Sequence, residues 1–187
     1  MNDHVTIAPQ LRAKAALWAA LIAGAAFMML EMIMVPVFMG GSPWGPPRMI
    51  AAMGMGEGVL PPPATFDAVI MMVAMVIHFG LSVILAFVFA FIARGRDFGM
   101  AIGLGIVFGL VVYLVSFYGM TAIFPWFAMA RNWVSIFAHV VYGAVLAWVY
   151  VSIARKTAEG KTTEGMRPVR QDEPKPQTSR PNDERRR

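Results

Sequence analysis

Glu31, His78 and His139 are the only acid or imidazole side chains inside the four long apolar stretches of this chain. In apolar surroundings these are the usual groups for passing or sensing a proton, and neutral imidazole is also a common metal ligand. Helical spacing gives each of them polar company. His78 and Ser82 share a face at i,i+4, while Ser135, His139 and Tyr142 form a stripe at i,i+4 and i,i+7. Ser116 and Tyr118 lie at a similar level of the third stretch, so the eight residues are expected to line one polar pocket. Two metal chemistries are open as alternatives. Met71 and Met75 extend the His78 stripe toward a soft Cu(I) site that His139 would complete, and His78 and His139 would suit the two axial positions of a haem. A structural reading competes with both: a protonated Glu31 and two neutral histidines can act as hydrogen-bonding glue between helices. The expected outcome is no cofactor.

The elements that carry these residues are read from composition. With 58% apolar residues, 14% charged residues and a mean hydropathy of +0.60, the chain has a membrane profile. Four stretches, 15–38, 68–93, 99–119 and 132–154, each run about 20 residues or more, enough at about 1.5 Å per residue to cross a hydrocarbon core of about 30 Å. They lack the alternation of barrel strands, so the fold class expected is an all-α integral membrane protein, an up-down four-helix bundle. The membrane domain covers 1–154 and the tail 155–187.

Orientation follows from Lys and Arg near the segment ends. Arg12 and Lys14 precede the first span, Arg94 and Arg96 fill the turn between the second and third, and Arg155 and Lys156 follow the fourth. The opposite side has Arg48 and Arg131 only. Both termini are thus expected in the cytoplasm, with the inner membrane as location. Trp44, Trp126 and Trp133 would mark the outer interface, Trp18 and Trp148 the inner one. Ala23-Gly24-Ala25-Ala26 would suit signal-peptide cleavage, but the apolar stretch continues well past it, as an anchor does. On this orientation Glu31, His78 and His139 lie roughly 10 to 15 Å below the outer boundary.

The outer loop, 39–67, has Pro46-Pro47 before a short apolar run and Pro61-Pro62-Pro63 after it. That run is too short to span, and is expected as one or two helical turns lying flat as a cap, or dipping back as a plug. Trp44, Arg48 and Arg131 belong to this cap. The third span carries Gly99, Gly103, Gly105 and Gly109, which suggests that it is the central packing helix, with homodimerisation through one glycine face as a further possibility. The tail holds ten basic residues against six acidic ones, most of the chain's net +5, and is expected to be disordered and to touch anionic lipid. No aromatic residue interleaves those charges, which argues against a nucleic-acid partner. Partners expected are therefore the bilayer and a homo-oligomer or larger membrane complex.

The segments PWGPPRMIAAMGMG, VLPPPATFD and FYGMTAIFPWFAMARNWVSIFAHVVYG resemble those of small bacterial four-span inner-membrane proteins of unknown function, some labelled sodium/proline symporters. The resemblance covers the chain from about Leu17 to Tyr150. It implies a four-span membrane protein with possible transport, although only an oligomer could approximate a transporter built from inverted repeats. No phosphate loop, nucleophile elbow or metal-protease motif is present, so the function expected is non-enzymatic: an accessory, sensor or structural unit, with proton or ion handling as the alternative.

Overall fold

The computed structural model describes residues 9–60 and 62–165, and these are helical without strands. The helices are α1 (Pro9–Met39), α2 (Gly45–Met55), α3 (Ala68–Ile92), α4 (Phe98–Leu114) and α5 (Trp133–Gly165). Four of them, α2 being the exception, belong to helical stretches long and apolar enough to cross a membrane, α4 together with the turns that follow it to Ala122. Local chemistry sets their starts. The Asp67 carboxylate accepts hydrogen bonds from the Val69 and Ile70 amides, and Asp97 from the Met100 amide, so each satisfies amides that a first helical turn leaves open. Gly95, at φ 68°, turns the chain between α3 and α4. α4 loosens at its far end into a π turn over Val115–Gly119, followed by short 3₁₀ turns at Met120–Ala122 and Pro125–Ala130.

Packing does not follow chain order. α5 lies between α1 and α4, and α3 packs on the other side of α1, while α3 and α4 scarcely touch although a short turn joins them. The central helix is therefore α5, a correction to the expectation that the glycine-rich third span holds the centre. Only half of that glycine set is used. A methyl group at Gly105 or Gly109 would overlap the backbone of Gly143 or His139, whereas Gly103 has open space beside it. Against α1, closeness comes instead from alanine: Ala15, Ala16, Ala19, Ala20 and Ala23 are completely buried.

Because α3 and α4 diverge, the bundle has a gap on one side. It is closed at the hairpin end, where the Phe89 and Phe108 rings stand 5.5 Å apart. At the opposite end α2 fills it. Pro46 and Pro47 stand in the first turn of α2, where their missing amide hydrogens cost nothing, and Gly56 at φ 81° ends it. Ala51 packs with Ile70 and Ala74 of α3, and Gly54 approaches the Ile77 side chain. On the other flank Met49 and Met53 pack with Phe117 and Phe127, and the Trp126 indole donates to the Met49 carbonyl at 3.0 Å. The loop is thus a docked helix seated between α3 and the α4–α5 connection, more than the flat cap first considered.

α5 also runs past its expected end at Ala154 to Gly165, so the tail taken as disordered is helical over 155–165. The rest of that tail, 166–187, lies outside the described residues.

Candidate functional site

The expected polar residues converge on the gap, but in two compartments. Below α2, a cleft of about 120 Å³, open at its mouth, is lined by His78, Ser82, Ser116, His139 and Tyr142. Phe27 forms its back wall, and Ile50 and Met53 of α2 form its roof. The sides are Leu81 and Leu85 of α3 and Val112 of α4. On the other side of α2, a vestibule of about 250 Å³ is lined by Glu31, Ser42, Asn132 and Ser135. Phe27, Ile50, Phe117 and Phe127 line both spaces and form the partition.

Helix contacts fix the rings of the cleft. His78 Nε2 donates to the Gly24 carbonyl at 2.9 Å, an approach that the bare α-carbon of Gly24 permits. Ser82 Oγ donates to the Ala20 carbonyl at 2.8 Å and, its one proton being used, accepts from the Tyr142 hydroxyl at 3.2 Å. His139 Nδ1 donates to the Ser135 carbonyl of its own helix at 2.7 Å. A carbonyl oxygen only accepts, so these bonds define the tautomers: in the neutral rings His78 Nδ1 and His139 Nε2 are acceptors. Neither has a hydrogen-bond partner among the described residues, and both rings line the cleft.

Phe27 separates the two imidazoles. Its ring stacks on His78 at 5.6 Å with a 20° interplanar angle and meets His139 edge-on at 4.7 Å. A phenyl ring therefore occupies the space that a haem held by both histidines would need. The soft-metal set does not form either, because Met71 and Met75 pack under α2 against Ile70 and Ala74 and line neither compartment. Among the described residues, no three His, Asp or Glu side chains cluster.

Glu31 stands apart from both histidines. It is 5% exposed, Ser135 offers its carboxyl a hydrogen bond, and its Oε1 is buried with no partner. Among the described residues, no lysine or arginine lines its vestibule. No protein-family model, curated protein or solved structure matches the chain.

Two further residues were expected elsewhere. Tyr118 is 54% exposed and turned out of the pocket, with Arg131 stacked on its ring at 4.3 Å. Arg131 does not face the cap. Its Nε donates to the Phe117 carbonyl at 2.7 Å and its Nη2 to Thr121, which satisfies backbone left open where the π turn ends. Arg48, within α2, ties down the segment that leads to α3 through the Val59 and Thr65 carbonyls. Trp44 packs on Phe66. The residues that sequence reading missed are Phe27, Gly24, Ile50 and Met53. Apolar side chains in apolar stretches carry no distinguishing signal, and only the small residue at Gly24 hinted at a close contact.

Proposed function

We propose that this chain is a non-enzymatic integral membrane protein of the inner membrane, with both termini in the cytoplasm, that acts as a binding or sensor unit. Its ligand is a small lipid-soluble molecule carrying a hydroxyl or N–H group, which enters sideways between α3 and α4. One observation carries the reading: the cleft between these helices is lined by two imidazoles, each with one ring nitrogen that has no hydrogen-bond partner among the described residues, within mostly apolar walls. An acceptor left unmatched there costs about 1 to 3 kcal/mol, so a donor from a ligand is favoured strongly at this position. The four long apolar helices support residence in a membrane, and the Lys and Arg distribution supports the orientation.

The test is mass spectrometry of the protein extracted gently from membranes. A small apolar molecule with a donor group is expected to accompany the wild type and to be lost from Ser116→Trp, whose indole would fill the cleft, and from His139→Leu. Equal amounts on all three proteins, with helix content unchanged, would refute the proposal.

A second reading, ion handling at Glu31, is favoured by the buried Oε1, which has no partner among the described residues. Beyond Ser82 and Tyr142 the bundle closes into Ala86, Phe89, Leu146 and Ala147, which supports exchange with one face more than a path through the bundle.

A further inference from the structure

The vestibule on the other side of α2 differs in chemistry from the cleft. Its polar centre is an acid buried to nineteen-twentieths, and among the described residues one of its oxygens has no partner and no positive side chain stands on the walls. The histidines of α3 and α5 and the arginines on either side of it are bonded elsewhere. His78 of α3 lies across Phe27, and His139 of α5 is bonded to the Ser135 carbonyl behind the same ring. Arg48 of α2 is bonded to Val59 and Thr65, and Arg131 to Phe117 and Thr121. None of these four lines the space.

A carboxylate held in this way needs either a proton or a cation from outside. The rest of the wall selects the kind of cation. Phe27, Phe117 and Phe127 present aromatic rings, and Met39, Met49 and Met129 present polarisable thioethers. A bare metal ion would want about six or more oxygens and finds few beyond Glu31, Ser42, Asn132 and Ser135. An ammonium group clothed in hydrocarbon matches both the carboxylate and the rings.

We propose that the vestibule binds an apolar organic cation, an amine or quaternary ammonium of small-molecule size, against Glu31, in exchange for the proton that the acid otherwise holds. The exchange is balanced: the cation enters, the proton leaves Glu31 for water, and no bond of the ligand is made or broken. The vestibule, set apart from the cleft by Phe27, makes this a second site that does not depend on the ligand of the first.

The test uses the full chain in detergent with benzyltrimethylammonium, which has no acidic proton of its own, and with neopentylbenzene as its uncharged counterpart. Calorimetry reads binding, and a dye in weakly buffered solution reads proton release. The wild type is expected to bind the cation in preference to the hydrocarbon and to release a proton on doing so. Glu31→Asp should keep the proton release at reduced affinity, and Glu31→Gln should bind at least about tenfold more weakly and release none. Ser116→Trp, which fills only the cleft, should bind as the wild type does. Binding by the wild type without proton release, no binding by the wild type, or equal binding by Glu31→Gln would overturn the proposal. So would loss of binding in Ser116→Trp. If Glu31→Gln fails to fold, the wild-type proton count and Glu31→Asp still decide.

Discussion

Among single residues, the glycines of the α4–α5 contact separate into those that a side chain would displace and those that it would not. A methyl at Gly143 would run into the Gly105 carbonyl and the Gly109 amide, both of them backbone that cannot swing aside. Gly143→Ala is expected to cost about 1 to 3 kcal/mol or to shift the helices apart, as overpacking does. Gly103→Ala, on the open face of the same α4, should be neutral or slightly stabilising, by up to about 1 kcal/mol, through helix propensity. Thermal unfolding of the two variants in the same detergent, followed by circular dichroism, checks the pair, and equal melting temperatures would contradict the contact. Tyr142→Phe removes one interhelical bond to Ser82 and should cost roughly 0.6 kcal/mol, at most about 1.7, in the same assay. Residue types and spacing were enough to select His78, Ser82, His139 and Tyr142. Tyr118 shared their level along the helix, but the π turn rotates the backbone there and carries its ring outward, a local rewinding that spacing rules for a regular helix do not contain.

At the scale of elements, α2 is the one whose behaviour the sequence described least. Length excluded a span, and the prolines placed its start, but its seat depends on Ala51 meeting Ile70 and Ala74 across two helices. Ala51→Leu should push α2 off α3 at a cost of about 1 to 3 kcal/mol, while the four long helices persist. Hydrogen exchange should then rise across Gly45–Met55 and remain slow in α1 and α5. Uniform exchange throughout would mean that α2 is not separately docked. The glycines of α4 misled for a related reason. A helix with four glycines can approach another closely, yet which neighbour uses them is decided by the competing alanine face of α1, whose partner is α5 as well. The end of α5 was misjudged because polar residues were taken to end a helix, whereas they end only its apolar surface. At about 1.5 Å per residue its 33 residues reach about 50 Å, longer than a hydrocarbon core of about 30 Å.

For the molecule as a whole, the two compartments open at different places: one between α3 and α4, the other at the end where α2 sits. The lack of cysteine makes the proposed orientation easy to check. Gly58→Cys, near α2, is expected to react in intact cells with a maleimide that cannot cross membranes, and Arg96→Cys, in the α3–α4 turn, only after permeabilisation. Labelling of both under the same condition would rule out this topology. Composition and the length of the apolar stretches were sufficient for four long helices, because any backbone in hydrocarbon must satisfy its own hydrogen bonds and a helix does so within one segment. The order of packing, the parting of α3 from α4, and the Phe27 ring that divides one expected pocket into two belong to the tertiary structure alone. Contacts among apolar surfaces are chosen by shape across distant parts of the chain, and shape leaves no periodic mark on any one of them.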